Sequence, residues 1–151
     1  MNTHPKIRQK LQFIIVTGTS GAGKSQALRH LEDLGFFCSD NMVPALLVSF
    51  VDLISTRFQQ IAVGIDSRGG SFFDELSGSL HTLKELGFTY KILYLDAQEP
   101  ILVRRFSENR RRHPLQNQDL TLTESIQQEK EQLRTIYTQA DIILDTSYIQ
   151  P

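Results

Sequence analysis

A short apolar run that leads directly into a glycine-rich segment constrains the fold of this 151-residue chain more than any other feature. The run covers residues 13–16, and the segment after it reads Gly18, Thr19, Ser20, Gly21, Ala22, Gly23, Lys24, Ser25. Behind it, Ala27, Leu28, Leu31 and Leu34 recur at helical spacing, and Gly35 stands where such a helix would end. Strand, glycine-rich loop and helix in this order form the setting that the Walker A pattern Gly-x-x-x-x-Gly-Lys-Ser requires.

The residue types in this segment suit the phosphate chain of a nucleotide. Glycines present no side chain and allow successive backbone N–H groups to point inward around an anion. The start of the helix adds unpaired donors and partial positive charge. We expect Lys24 to reach the β- and γ-phosphates of ATP or GTP, and the Ser25 hydroxyl to bind Mg²⁺. The alternative is a glycine- and serine-rich turn that only joins a strand to a helix.

Further apolar runs alternate with helical patterns along the rest of the chain. We expect strands at 36–39, 61–65, 91–95 and 142–144, and helices at 45–58, 72–86, from Pro100 toward Arg112, and after a capping box at Thr121-x-x-Glu124. These strands are short and apolar, as burial under two helix layers demands. The order predicts an α/β domain of the P-loop NTPase or kinase type: a doubly wound, mainly parallel sheet of about five strands with helices on both faces. We assign residues 1–12 to an N-terminal tail and 13–151 to a P-loop nucleotide-binding domain.

Composition argues against several other classes of protein. The formal net charge of −1 disfavours a domain that holds nucleic acid by bulk positive charge. The single cysteine, Cys38, cannot form an internal disulfide, and its apolar neighbours favour a small buried side chain. No apolar run approaches the roughly 20 residues of a membrane span, and residues 1–12 lack the apolar core of a signal peptide. We expect a cytoplasmic protein without a membrane partner; the sequence leaves its oligomeric state open.

Three aspartates follow predicted strands, at the edge of the sheet where folds of this class bind ligands. Asp66 follows the strand at 61–65, which is the setting of a Walker-B carboxylate that holds Mg²⁺. Asp96 competes for that role, and Asp40 lies where some small P-loop kinases carry the base that activates an acceptor hydroxyl. The plainer interpretation of each is a turn or helix-cap residue.

Arginines are concentrated after the fourth predicted strand, at Arg104, Arg105, Arg110, Arg111 and Arg112, and His113 comes next. In nucleotide kinases an arginine-rich lid occupies this position, and a guanidinium group there can neutralise charge in the transition state. We take Arg111 as the candidate for that role. The cluster is also consistent with a second anionic ligand or with an ordinary solvated face.

Taken together, these stretches resemble the RapZ-type RNase adapter family, also called the YvcJ-like nucleotide-binding proteins. The likeness rests on residues 18–25, 27–29, 31–36, 38–41, 44, 46–47, 65–69, 95–97, 104–106, 111–115 and 145–147. The resemblance implies binding of ATP and GTP with slow hydrolysis. It assigns the Walker A loop to ATP and the segment Asp66, Ser67, Arg68, Gly69 to GTP. It also implies a small-RNA or RNase partner for some members, through a C-terminal domain that we expect to be absent from this chain.

Three functions follow from these residues. The first is a regulatory nucleotide-binding domain with weak ATPase or GTPase activity, in which water attacks the γ-phosphate while Lys24, Mg²⁺ and an arginine stabilise charge. The second is a small-molecule kinase with Asp40 as base and the arginine-rich segment as lid. The third is a binding module for a phosphorylated metabolite. The preference for ATP or GTP stays open, because the Asn-Lys-x-Asp segment of many guanine readers is absent from the sequence.

Overall fold

A computed structural model describes residues 10–66, 72–109 and 112–149, and its strands form one parallel sheet. The strands are β1 Gln12–Gly18, β2 Phe37–Ser39, β3 Gln60–Gly64, β4 Lys91–Asp96 and β5 Ile142–Asp145. They lie in the order β2-β3-β1-β4-β5, and all four pairings are parallel. The predicted α/β fold is therefore confirmed. Strand β1 runs between β3 and β4, so the glycine-rich loop leaves the middle of the sheet with a strand end on either side.

Helices fill the connections between the strands. They are α1 Lys24–Asp33, α2 Leu47–Ile54, α3 Phe72–Glu85, α4 Glu99–Asn109, α5 Leu122–Gln132 and α6 Arg134–Gln139. The capping box predicted at the start of α5 is present, because Thr121 and Glu124 each bond the other's backbone N–H. Among the helices of the described ranges, none has the length and apolar character that a bilayer crossing needs.

The helix expected at 45–58 is shorter than predicted. A 3₁₀ turn occupies Pro44–Leu46, and α2 ends at Ile54. Two hydroxyl groups explain the early end: Ser55 Oγ donates to the Asp52 carbonyl at 3.1 Å, and Thr56 Oγ1 donates to the Leu53 carbonyl at 2.7 Å. Such side-chain bonds occupy carbonyls at the helix end and compete with continued helical pairing.

The sheet is covered on both faces, as expected. Because neighbouring residues of a strand point to opposite faces, β1 contributes Ile15 to one core and Val16 to the other. The larger core packs against α2, α3 and α6, and the smaller one against Leu28 of α1. A third cluster joins α4 to α5 through Phe106 and Ile126.

Strand β5 departs from the prediction that every strand is buried. Its apolar side chains are exposed on both faces, with 55% of Ile142, 46% of Ile143 and 41% of Leu144 accessible. The strand lies at the edge of the described sheet and pairs with β4 alone. Its apolar composition predicted the strand correctly, but composition does not reveal how many neighbours a strand has.

Candidate phosphate-binding site

The glycine-rich loop has a backbone that only glycine fits at its first position. Gly18 has a φ of 140°, and a Cβ atom placed there would lie 1.9 Å from the carbonyl oxygen of Leu95. This close approach arises because β4 runs directly beside the end of β1, where Gly18 pairs with Leu95. At the other end of the loop Gly23, with a φ of 103°, forms the N-cap of α1. The loop therefore reaches the start of α1 through left-handed backbone that larger residues rarely adopt.

The start of α1 faces the interior of the loop with uncompensated donors. The helix begins at Lys24 behind an N-cap glycine that has no side chain, and its first turn carries no acidic residue. The first N–H groups of a helix have no intrahelical partner, so they are available to an anion together with the positive end of the helix dipole. This arrangement is the one that the Walker A pattern predicts.

Lys24 is folded over the loop. Its Nζ lies 3.1 Å from the Gly18 carbonyl and 3.0 Å from the Thr19 carbonyl, and only 8% of the side chain is exposed. The same nitrogen lies 3.4 Å from Oδ1 of Asp66, at the end of β3. The structure thus brings together two of the residues that the sequence proposed for one site, the cation and the Walker-B carboxylate.

A second carboxylate, Asp40, lies against Ser25. The Ser25 hydroxyl donates to Oδ2 of Asp40 at 2.7 Å, and Oδ1 accepts the Asn41 N–H at 2.8 Å. The approach depends on Gly64, because a Cβ there would lie 2.6 Å from Oδ1 of Asp40. The Ser25 hydroxyl and the Asp40 carboxylate are oxygen donors of the kind that suits Mg²⁺ when phosphate oxygens complete its ligands. The structure places Asp40, rather than Asp66, in contact with Ser25.

Asp96 has a different environment from the other two aspartates. Its Oδ1 accepts the Thr19 hydroxyl at 3.3 Å and the Ala97 N–H at 2.9 Å, and it lies 3.5 Å from Nζ of Lys130. These contacts fit the plainer interpretation of Asp96 as a turn residue. They also tie the loop to the end of β4.

Arg105 holds the loop from outside. Its NH1 donates to the Gly21 carbonyl at 3.0 Å and to the Thr146 hydroxyl at 3.1 Å, and its NH2 donates to the Thr146 carbonyl. The Thr146 hydroxyl in turn donates to the Ala22 carbonyl at 2.7 Å. The guanidinium group therefore bonds one carbonyl of the loop and the carbonyl of Thr146, whereas sequence reasoning considered it for phosphate. Arg104 and Arg112 are exposed.

Several predicted site residues lie outside the described residues. They are Ser67, Arg68 and Gly69, which the resemblance assigned to GTP, and Arg110 and Arg111 of the arginine cluster. Arg111 as the charge-stabilising group and the 67–69 segment as a nucleotide contact stay predictions.

Sequence reasoning missed one contact of the loop entirely. Glu129 in α5 is 1% exposed, and its carboxylate accepts the Ser20 N–H at 2.7 Å and the Ser20 hydroxyl at 2.6 Å. Burial acts to raise the pKa of Glu129, but hydrogen bonds from His113 and Ser20 outweigh it and hold the pKa below its ordinary value. The available signal was spacing, because Glu129 shares a helix face with the buried residues Ile126 and Leu133.

Solved structures with a similar fold include small kinases. A shikimate kinase from Bacteroides thetaiotaomicron superimposes with a TM-score of 0.62 at 18% identity, over 93% of this chain and 89% of that one. A sugar kinase from Janibacter gives a TM-score of 0.63 at 17% identity, over 93% and 87%. At such identities the likeness concerns the fold alone.

Curated proteins found by sequence have a much higher identity to this chain than these solved structures do. "Nucleotide-binding protein CA_C0511" of Clostridium acetobutylicum is 49% identical over 140 residues, 91% of this chain and 47% of the relative. "Nucleotide-binding protein STH186" of Symbiobacterium thermophilum is 45% identical over 148 residues, 96% of this chain and 49% of the relative. The chain thus spans about half the length of the curated relatives it matches. The model of the RapZ-like N-terminal domain matches residues 11–151, and the chain belongs to this family.

Proposed function

We propose that this domain binds a nucleoside triphosphate, ATP or GTP, together with Mg²⁺, and hydrolyses it slowly as a regulatory module. The observation that carries the proposal is the position of Lys24, whose ammonium group lies over the loop on the Gly18 and Thr19 carbonyls. The name "nucleotide-binding protein" given to relatives about half identical to this chain supports it.

The loop and the start of α1 present hydrogen-bond donors in fixed positions around the proposed place of the phosphates. The N–H groups at the start of α1 and the Lys24 ammonium supply positive charge on one side of the bound phosphates. Ser25, Asp40 and Asp66 are the residues that would hold Mg²⁺, which neutralises phosphate charge when bound. The sequence proposed Ser25 and Asp66 for this role, and Asp40 joins them because its carboxylate contacts the Ser25 hydroxyl.

Slow hydrolysis is consistent with the state of the carboxylates around the loop. A fast hydrolase needs a group that orients the attacking water. Within the described ranges, each of the four loop-side carboxylates already has a hydrogen-bond or ion-pair partner: Asp40 with Ser25, Asp66 with Lys24, Asp96 with Lys130, and Glu129 with Ser20. Arg111 stays our candidate for stabilising charge as the γ-phosphate leaves.

A small-molecule kinase is the second candidate. The observation in its favour is the end of β2, where Asp40 is followed by Asn41 with a φ of 55°, a polar corner beside the loop. A base for an acceptor hydroxyl must be free to take a proton, and the contact of Asp40 with Ser25 makes this role weaker than that of a metal ligand. We also propose that this protein resides in the cytoplasm and that any RNA or RNase partner requires the whole protein.

Calorimetric titration with MgATP and MgGTP tests the proposal. The wild type should bind at least one of them, and Lys24→Ala should weaken binding at least tenfold, because it removes a buried charge from the phosphate site. Lys84→Ala is the matched control, since Lys84 lies in α3 over the Tyr90 ring, and it should leave affinity unchanged. A wild type that binds neither nucleotide would refute the proposal and favour a site for another phosphorylated ligand.

A further inference from the structure

Three side chains from distant parts of the chain meet beneath the phosphate-binding loop. Ser20 belongs to the loop, Glu129 to α5, and His113 to the connection between α4 and α5. Ser20 and Glu129 are 109 positions apart, and His113 and Glu129 are 16 apart. The proposed function uses none of them, so their burial and mutual contacts call for a separate explanation.

The Glu129 carboxylate joins the other two residues. Its Oε1 accepts the Ser20 N–H at 2.7 Å and lies 3.3 Å from Nε2 of His113, while Oε2 accepts the Ser20 hydroxyl at 2.6 Å. Both Glu129 and His113 are 1% exposed. A buried carboxylate without donors is costly, so this pattern of donors on both oxygens is a built arrangement rather than incidental packing.

His113 extends the contact to residues 112–120, the described part of the connection between α4 and α5. The Leu115 N–H donates to Nδ1 of His113 at 3.1 Å, so the hydrogen-bond pattern assigns the ring proton to Nε2, which faces Glu129. The imidazole also packs beside the Phe106 ring, with centroids 5.2 Å apart. Through these contacts the residues that directly follow Arg112 are held at the underside of the loop.

We propose that Glu129 is a positioning residue that fixes the first half of the phosphate-binding loop through Ser20 and couples it, through His113, to residues 112–120. The inference rests on the proposed function, because it assigns Glu129 a part in nucleotide binding. A loop that is already held binds its ligand with a smaller loss of conformational freedom. Binding of phosphates to the loop and ordering of residues 112–120 should then each make the other more favourable.

Two substitutions at Glu129 separate bonding from simple space filling. Glu129→Leu removes every acceptor but keeps an apolar side chain in the core. Glu129→Gln keeps an acceptor for the Ser20 N–H and a donor toward the Ser20 hydroxyl, so it should rescue most of the effect. Glu131→Leu, in the same helix at a side chain that is 74% exposed, is the matched control.

We expect calorimetry with MgATP to give a dissociation constant at least tenfold weaker for Glu129→Leu, within about threefold of wild type for Glu129→Gln, and within about twofold for Glu131→Leu. The titrations are made at a temperature well below the unfolding midpoint of each variant, so that loss of the fold is not mistaken for loss of affinity. Equal affinity of wild type and Glu129→Leu would overturn the inference while leaving the proposed function intact.

A double variant shows whether Glu129 acts through Ser20. Ser20→Ala alone should weaken MgATP binding, and adding Glu129→Leu should cost less than it does in the wild type, because both changes remove the bond from the Ser20 hydroxyl to Oε2 of Glu129. Strictly additive losses would overturn the inference. If Glu129→Leu does not fold, Glu129→Met takes its place in this comparison, because methionine keeps the length of the side chain and removes both acceptor oxygens.

Hydrogen exchange measures the coupling between the loop and residues 112–120. It also tests the role of Glu129 if no nucleotide binds. MgATP should slow amide exchange at residues 112–120 in the wild type and in Glu129→Gln, but not in Glu129→Leu. If the wild type binds no nucleotide, the proposed function fails, and exchange at the Ser20 amide without ligand decides the positioning role. Faster exchange of the Ser20 amide in Glu129→Leu than in the wild type supports the positioning role of Glu129. Unchanged exchange overturns that role.

Discussion

Replacing Gly18 with alanine tests the close approach between the phosphate-binding loop and β4. The added Cβ would lie 1.9 Å from the Leu95 carbonyl oxygen and 2.8 Å from the Leu95 N and C atoms, all of which are backbone. No side chain can rotate away to make room, so β1 and β4 must move apart or the loop must change conformation. The φ of 140° at Gly18 adds strain for any residue with a Cβ.

The cost of this change follows from the contacts that it breaks. An unfavourable backbone conformation costs about 1–3 kcal/mol, and overpacking in a rigid environment costs about 1–3 kcal/mol. Separation of the strands also threatens the 3.2 Å hydrogen bond from the Thr19 N–H to Leu95, worth about 1 kcal/mol. We therefore expect Gly18→Ala to lower the free energy of unfolding by about 3–7 kcal/mol, a large part of the roughly 5–15 kcal/mol that domains possess.

Urea unfolding followed by circular dichroism measures this free energy by linear extrapolation. Gly78→Ala is the matched control, because Gly78 lies within α3 and a Cβ there meets nothing within 4 Å. That change should raise the free energy of unfolding by about 0.5–1 kcal/mol, since alanine is the better helix former. A loss of less than 1 kcal/mol for Gly18→Ala would refute the inferred tightness of the loop against β4.

Two further predictions concern the groups that hold the loop. Arg105→Ala should lower the free energy of unfolding by about 1–2 kcal/mol in urea titrations, because it removes the bonds to the Gly21 and Thr146 carbonyls. The control Arg104→Ala, at an exposed side chain, should change it by less than about 0.5 kcal/mol. Equal effects of the two changes would contradict the role of Arg105 in holding the loop. The pKa of Glu129 is lowered in the folded state, so its contribution is present above the ordinary carboxylate pKa and is lost as pH falls through the lowered value. The urea concentration at the unfolding midpoint should therefore fall more steeply with decreasing pH in the wild type than in Glu129→Gln. The same pH dependence in both proteins would contradict the lowered pKa of Glu129.

The parts of the site that the sequence predicted are those fixed by local chain geometry. Gly18, Gly23 and Lys24 are neighbours in sequence, so the backbone between a strand and a helix determines where they lie. The position of Asp66 near Lys24 was also predicted, because β3 runs beside β1 in the common layout of this class. Short-range patterns and one rule of sheet topology were sufficient for these residues.

The parts that were missed depend on long-range packing. Asp40 reaches Ser25 only because Gly64 leaves room for its carboxylate, a coincidence of three elements that no spacing in the sequence shows. Spacing places Glu129 on the buried face of α5, but nothing in the sequence shows that its carboxylate meets Ser20. The exposure of β5 depends on how many strands lie beside it, which its own apolar composition does not encode.

The shape of the phosphate-binding loop depends on elements outside the Walker A pattern. The end of β4 bonds Thr19, Glu129 in α5 bonds Ser20, Arg105 in α4 bonds Gly21, and Thr146 after β5 bonds Ala22. A partner that displaces α4, α5 or the residues after β5 therefore changes the loop and with it the affinity for a nucleotide. By thermodynamic linkage, a nucleotide on the loop must change the affinity for that partner by the same factor. The regulatory role that we propose therefore needs no mobile element inside the Walker A loop, because contacts already connect the loop to α4, to α5 and to Thr146 after β5.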